Sequence, residues 1–312
     1  MRVGVIGAQG FIGGAALSAL RDTGWSVVAL VEQAANTFPP DVECRLVRRT
    51  AAAGELARSL RGMDAVVIAI GHAIPAAFQT DALARFGAEV RGLAQWAGAI
   101  AEARVSRCIY ISSGGTVYGT GTDHAARETD PPAAINTYGA AKLACESVVR
   151  SFATCGAFSA TVLRVANAYG PGQRPGRGQG VVATFIDAML RNQTIEVWGD
   201  GNDIRDFIHV HDVASAIVSA LRYDRAQTSI FNIGSGVATT VSQLLALLHQ
   251  ALPSTPPARH VPRPSGSAYS SVLDISRAAQ ILAWQPVVQL PAGLRGTIDW
   301  HRHLAASVPS QL

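Results

Sequence analysis

The chain has 312 residues, 48% apolar and 15% charged, with a formal net charge of +4 and a sequence pI of about 9.1. That composition supplies a sizeable core, and the basic excess forms no run, which argues against nucleic acid as a partner while leaving an anionic small substrate compatible. No apolar stretch reaches membrane-spanning length and no leader-like segment precedes the first strand pattern, so a soluble cytoplasmic protein is expected. The four cysteines, Cys44, Cys108, Cys145 and Cys155, show no paired spacing and sit in apolar, alanine-rich surroundings. They are expected to be buried free thiols, with no disulfide and no metal site.

Arg2 to Ile6 is a short apolar run that stops at Gly7-Ala-Gln-Gly10-Phe11-Ile12-Gly13, and a helical pattern through Ala16 and Leu20 follows. Strand, glycine turn and helix in this order suit a dinucleotide. Gly7 permits the tight turn, Gly10 lets the backbone approach a pyrophosphate at the helix N-terminus, and Gly13 lets helix and sheet pack closely. A second strand, Ser26 to Val31, ends at Glu32. That carboxylate either binds ribose hydroxyls, selecting NAD over NADP, or is a solvated strand end. Ala65 to Ile70 reads as a buried parallel strand followed by Gly71, with Ala69 and Gly71 as further cofactor contacts. Leu83, Phe86, Val90, Leu93, Ala97 and Ile100 repeat at helical spacing and are read as core packing alone.

The strand Cys108 to Ile111 delivers Ser112-Ser113-Gly-Gly-Thr-Val-Tyr118-Gly119. Alternating strands and helices imply a doubly wound parallel sheet, with ligands bound off the carboxyl ends of its strands. Gly7, Gly71 and Ser113 all lie at such ends, which makes Ser113 a candidate catalytic hydroxyl.

Next comes Tyr138-Gly-Ala-Ala-Lys142. The chain carries 26 Lys plus Arg, and Lys142 is the only lysine among them. A lone lysine one helical turn after a tyrosine suggests a site that a planar guanidinium does not fit. On a helix the two side chains share a face. A cation beside the phenol favours its ionised form, which makes tyrosine usable as a general base. Ala141, Cys145, Val148 and Phe152 form the inner face of this helix.

The strand Ala160 to Val165 leads to Asn167-Ala-Tyr169-Gly-Pro-Gly. Arg174 to Gly180 then reads as a mobile loop over a site. Ile195 to Trp198, Arg205 to Asp212, a helix from Val213 to Leu221, and Phe231-Asn-Ile-Gly234 look like a smaller α+β lobe. Pro253 to Gly266 is a proline-rich connection, and Leu294 to His303 closes the chain as a helix.

With these pieces in order, the chain resembles an extended short-chain dehydrogenase/reductase of the nucleotide-sugar epimerase/dehydratase family. The carriers are Gly7-x-x-Gly10-x-x-Gly13, Ser112-Ser113 with Val117-Tyr118-Gly119, Tyr138-x-x-x-Lys142, Leu163-Arg164 with Asn167-x-Tyr169-Gly170-Pro171-Gly172, Arg205-Asp206-Phe207-x-His209-Val210-x-Asp212, and Asp274-x-Ser276 with Trp284-x-Pro286. The resemblance implies a Rossmann domain over 1–170, with contributions from about 204–236, and a substrate lobe mainly over 171–312. It also implies a homodimer through a four-helix bundle. Tyr138 becomes the base, Lys142 its charge partner and ribose ligand, and Ser113 the hydroxyl on the substrate oxygen, with Thr116 as understudy. Asn167 and Arg205 become ligands of the nucleotide diphosphate.

Three departures shape the expectation. Dehydratases of the family carry an Asp-Glu pair after the catalytic Ser or Thr, whereas this chain has Gly114, Gly115 and Thr116. Elimination then lacks its acid and base. The usual acidic ribose ligand falls on Val31, with Glu32 one step late, and the Asp expected near the adenine is Thr50. The arginine that often precedes Gly-Asp in the lobe is displaced to Arg263, where it can still reach a phosphate. The resemblance therefore implies a nucleotide-sugar 4-epimerase with tightly bound NAD, NADP being the other candidate, acting on a UDP- or dTDP-sugar. The alternatives are an NADPH-dependent 4-keto-sugar reductase and a non-catalytic dinucleotide-binding protein.

Overall fold

The apolar runs become the strands of one parallel sheet, and their alternation decides which helices cover each face. The computed structural model of the protein describes residues 1–312 apart from 34–37, 49–50, 72–80, 121–123, 176–179, 224–227, 255, 264–269 and 308–312. The sheet begins with β1 (Arg2–Ile6), β2 (Ser26–Val31), β3 (Glu43–Leu46), β4 (Ala65–Ile68), β5 (Arg107–Ser113) and β6 (Ser159–Val165). Between them run α1 (Phe11–Asp22), α2 (Ala53–Ser59), α3 (Ala82–Glu102), the short α4 (Gly114–Val117) and α5 (Thr137–Thr154).

The second half of the chain contributes β7 (Asn167–Tyr169), α6 (Val181–Leu190), β8 (Ile195–Trp198), β9 (Ile204–His209), α7 (Val210–Arg222) and β10 (Ser229–Ile233). It continues through β11 (Ala238–Thr240), α8 (Val241–Ala251), β12 (Ala258–Val261), β13 (Ser270–Ser271), α9 (Ser276–Leu282) and α10 (Leu290–Ser307). The main sheet has seven strands in the order β10-β6-β5-β4-β1-β2-β3, all pairs parallel. This is the doubly wound Rossmann-type arrangement expected.

Because successive strand residues face opposite ways, each buried strand feeds two cores. Val3, Val5, Val27, Ala29, Ala65, Val67, Ile109, Ile111, Leu163 and Val165 pack with α1, α7 and α9. Val28, Leu30, Val66, Ile68, Cys108, Tyr110, Ala160 and Val162 pack with α2, α3 and α5. A third core joins α6, β8, β9, α8 and α10 through Phe185, Ile186, Ile195, Phe207, Leu244, Leu248 and Leu294. There β11, β9, β13 and β7 form a small mixed sheet beside the parallel pair β8–β12.

Several expectations need correction. Leu83 is 85% exposed and does not belong to the apolar stripe of α3. On α5 the fully buried position is Val149, with Val148 only partly covered, because the helix turns Ala141, Cys145 and Val149 inward together. Cys108 and Cys145 are buried free thiols as expected, but Cys44 and Cys155 are exposed, because one sits on the outer strand β3 and the other follows the end of α5. The strand before Gly71 stops at Ile68. Helix α7 starts at Val210, one turn earlier than read, because the His209 side chain accepts from the His211 amide as its N-cap. Ser229–Ile233 is an edge strand of the main sheet and not part of the small one. The proline-rich connection contains β12. Thr50, residues 176–179 of the Arg174–Gly180 loop, and residues 255 and 264–266 lie outside the described residues.

The turn after β1 is held by close backbone approach. Gly7 has φ +86, a conformation that L side chains rarely adopt. The Gly10 amide donates to the Gly7 carbonyl at 2.8 Å. A Cβ on Gly13 would lie 2.0 Å from that same carbonyl oxygen, so a side chain here must push the turn off the helix. Gly13→Ala is expected to cost about 1–3 kcal/mol by overpacking. Gly14→Ala, whose Cβ would come no nearer than 3.4 Å to the Ala8 oxygen, is expected to be neutral or stabilising. Paired denaturant titrations check this, and equal midpoints for the two variants would refute it.

Candidate active site

Asn136 starts the helix that carries the tyrosine: its side chain accepts from the Gly139 amide at 2.8 Å. This N-cap satisfies a donor that the helix itself leaves open and puts Tyr138 in the first turn. Gly139 seats that turn against α4, since a Cβ there would lie 2.6 Å from the Thr116 carbonyl oxygen. Ser113 ends β5 and Thr116 lies in α4. The Thr116 hydroxyl donates to Ser113 Oγ at 3.1 Å. Both candidate hydroxyls therefore sit together on the ledge that the first turn of α5 packs against.

Lys142 follows one turn along the same helix and is only 4% exposed. Its Nζ lies 5.6 Å from the centroid of the Tyr138 ring and 5.6 Å from that of Tyr110. The ammonium donates to Glu89 Oε1 on α3 at 2.8 Å, and Glu89 is itself 4% exposed. Burial alone lowers the proton affinity of Lys142. The Tyr110 and Tyr138 oxygens and the Glu89 carboxylate act against burial and win, leaving the lysine well above its ordinary value. Burial pushes the Tyr110 phenol well above its own ordinary value. Sequence reasoning missed Glu89. The available signal was a carboxylate between Phe86 and Leu93 on what reads as an apolar face of α3.

A second buried ion pair fixes the loop around Ser113. Arg164 on β6 grips both oxygens of Glu146, at 2.7 Å through Nη2 and 3.0 Å through Nε. Ser112 donates to the same carboxylate. The guanidinium lies 4.8 Å from the centroid of the Tyr118 ring, and the Tyr118 hydroxyl donates to Asn232 Oδ1 on β10 at 2.7 Å. Both ends of the stretch from Ser112 to Tyr118 are thus tied into the interior.

The side facing the small sheet is open, and positions 114–116 beside Ser113 carry no carboxylate. A cavity of about 240 Å³ is lined by Gly114, Tyr118, Ala126, Ile204 and Ser271 among others. A Cβ on Gly115 would sit 3.7 Å from both Asn167 Nδ2 and Ser271 Oγ, so the place of an acidic side chain is empty space between polar groups. Asn167 Nδ2 is buried with no hydrogen-bond partner, which is a donor waiting for an acceptor. Arg205 and Arg263 are brought together by a residue not anticipated, Asp203. Arg263 Nε donates to Asp203 Oδ2 at 3.1 Å, and Arg205 Nη2 lies 3.4 Å from the same oxygen. Burial lowers the proton affinity of Arg205, and Asp203 only partly offsets that.

At the other candidate contacts, Gly7, Gly10, Phe11, Ile12 and Gly13 form the turn and first residues of α1, and a Cβ on Gly7 would strike the Ala69 carbonyl at 2.8 Å. Gly71 is exposed beyond β4, and Glu32 is exposed beyond a buried Val31. A cradle that admits no Cβ, opening on a helix N-terminus, fits a pyrophosphate-bearing cofactor. Among the described residues no cluster of His, Cys, Asp and Glu could hold a metal ion, and no helix is long and apolar enough to cross a membrane.

Comparison with known proteins places the chain in a family. The model of the NAD dependent epimerase/dehydratase family matches residues 3–234. The UDP-glucose 4-epimerase of Mycolicibacterium smegmatis is 35% identical over 69% of this chain and 68% of its own. The alignments span 64% and 68% of the lengths of the first two curated relatives matched. In structure the likeness extends over nearly the whole chain. The UDP-glucose 4-epimerase of Thermotoga maritima, solved with UDP-glucose, superposes with a TM-score of 0.91 at 29% identity, over 98% of this chain and 100% of the other. The UDP-glucose 4-epimerase of Thermus thermophilus, solved with NAD, gives 0.89 at 28% identity, over 97% and 99%.

The pairing at Asp203 sets an expectation of its own. Asp203→Ala leaves two largely covered guanidinium groups without their shared carboxylate and is expected to cost about 3–5 kcal/mol. Inorganic pyrophosphate should then raise the melting temperature of the variant more than that of the parent, since a ligand stabilises the state that binds it. Equal shifts in the two proteins would show that the arginines do not form an anion site.

Proposed function

The chain belongs to the NAD dependent epimerase/dehydratase family, and we propose that it is a nucleotide-sugar 4-epimerase acting on a UDP- or dTDP-hexose with tightly bound NAD. The observation that carries this reading is the buried Lys142 ammonium beside Tyr138, next to a Ser113–Thr116 ledge whose positions 114–116 hold no carboxylate. Such a site can move a proton on and off a sugar hydroxyl. It has no acid–base pair with which to expel water from the neighbouring carbons.

The glycine turn, Ala69, Gly71 and Glu32 would hold the dinucleotide, with Lys142 as its ribose ligand. NAD held there would supply the hydride acceptor and donor at C4 of the sugar. Tyr138 accepts the proton of the O4 hydroxyl as the carbonyl forms and gives it back as the carbonyl is consumed. The charge of Lys142, 5.6 Å from the ring centroid, stabilises the negative charge that develops on the Tyr138 oxygen in the proton transfer. Ser113, with Thr116 behind it, donates to the sugar oxygen and keeps it in line. Asn167 Nδ2, Arg205 and Arg263 hold the diphosphate, so the sugar can turn while its anchor stays fixed. In this division of labour, residues 1–170 with parts of 204–236 hold the cofactor, and the rest of 171–312 mainly holds the nucleotide sugar. α3 and α5 pack side by side, as a four-helix homodimer interface requires, and Leu83 stands exposed on α3. A cytoplasmic setting, where nucleotide sugars are made, suits the reading.

Two measurements decide it. Denaturing the purified protein should release NAD in near-stoichiometric amount, identified by mass; release of NADP, or an empty site that binds NADPH on titration, would point to a reductase instead. Tyr138→Phe should lower the interconversion of UDP-glucose and UDP-galactose by about 10²–10⁴-fold, the range of a lost general base. Lys142→Arg should be comparably damaging, because the ammonium occupies a closed pocket between Glu89 and two rings. Undiminished turnover in Tyr138→Phe would end the proposed mechanism.

A further inference from the structure

We propose that Glu89 is a positioning residue for Lys142: its buried carboxylate holds the ammonium at its place beside Tyr138 and keeps it charged. The inference rests on the reading above for its catalytic meaning, but the geometry stands by itself. Glu89 comes from α3 and Lys142 from α5, and each is 4% exposed. Their contact at 2.8 Å is sealed from water, where an ion pair is screened least. A lysine this deeply buried with no anion to meet it loses its proton readily, in extreme cases near neutral pH. A neutral amine could neither favour a phenolate nor hold its position by charge.

Among the described residues, Glu89 is the carboxylate bonded to the ammonium, and the other groups facing it are weaker acids or already engaged. From β5, Tyr110 is held in its neutral form by burial. From α5, burial pushes the Cys145 thiol up to about 11, so it too stays neutral. Glu146, next along α5, is engaged by Arg164 of β6 through two donors. Tyr138 is the group that Lys142 is there to serve. Glu89 is thus the carboxylate that faces Lys142. The Tyr110 and Tyr138 oxygens and the Glu89 carboxylate together outweigh burial, so the proton of Lys142 is held more tightly than usual and its charge persists to higher pH than that of a free lysine.

Lys142 is the only lysine of the chain, and this makes the test direct. Protein grown on lysine labelled with ¹³C at Cε gives one side-chain signal, and its chemical shift against pH reports that one ammonium. In the purified holoenzyme the signal should show no deprotonation up to and beyond the ordinary lysine value of 10.5. Titration at or below that value would overturn the proposal without any variant. Glu89→Gln keeps size and an acceptor oxygen and removes only the charge. In it, proton binding at Lys142 should weaken at least about tenfold, one pH unit, and the alkaline limb of kcat should move down with it. An unshifted titration in a variant that melts like the parent and retains its dinucleotide would assign Glu89 a packing role only. If the parent itself does not interconvert UDP-glucose and UDP-galactose, the epimerase reading fails, while the lysine titration still decides the role of Glu89.

Discussion

A primary ammonium taken out of water costs several kcal/mol unless an anion meets it in good geometry. That demand, made by Lys142, constrains three elements at once. α3 must run beside α5 closely enough to present Glu89. β5 must place the face of Tyr110 against the Nζ. α5 must begin where Asn136 starts it, because a shift of one residue would swing Lys142 away from both partners. The reactive end of the sheet is therefore continuous with the core below it. The neighbouring Glu146–Arg164 pair repeats the arrangement one strand away, where the cation comes from β6 and the carboxylate from α5. Two opposed ion pairs, neither open to water, fix the turn that carries Ser113 and Thr116.

What was legible in the sequence was what depends on neighbours along the chain. β2 and β8 have the bounds read from their apolar runs, since a buried strand betrays itself locally. The glycine turn was legible because Gly7, Gly10 and Gly13 each meet a steric requirement within a few residues. Tyr138 and Lys142 share a helix, so their spacing alone brought them together. Ser113 was ranked above Thr116 by its place at the end of the strand before Tyr138, and the structure joins the two hydroxyls by a hydrogen bond.

What was not legible came from across the fold. Glu89 and Asp203 are buried carboxylates whose partners are distant in sequence or were assigned another task, and periodicity carries no information on who faces whom. Leu83 obeys the helical spacing of its stripe yet stands in solvent, because the apolar face of α3 meets the sheet only from Val90 onward. The early start of α7 turned on a side-chain cap by His209, which a histidine does not advertise. The proline-rich connection concealed β12, whose partner β8 lies far back along the chain.

The path of the chain through the main sheet has a consequence for any rearrangement of this protein. After β6 the chain leaves the sheet to build β7, α6, β8 and β9, and then returns as α7 and β10 to complete it at the β6 edge. Asn232 on β10 stitches this return to the rest: it receives the Tyr118 hydroxyl and donates to the carbonyls of Ala126 and Asp274. The two halves are thus threaded through each other and not joined by a single linker. A chimera that exchanges the small sheet for that of a relative needs at least three junctions, after β6, between β9 and α7, and after β10. Cutting the chain at residue 170 would leave an unpaired sheet edge and strip α1 of the helix that covers it. The substrate lobe of such a chain cannot be exchanged as one contiguous segment.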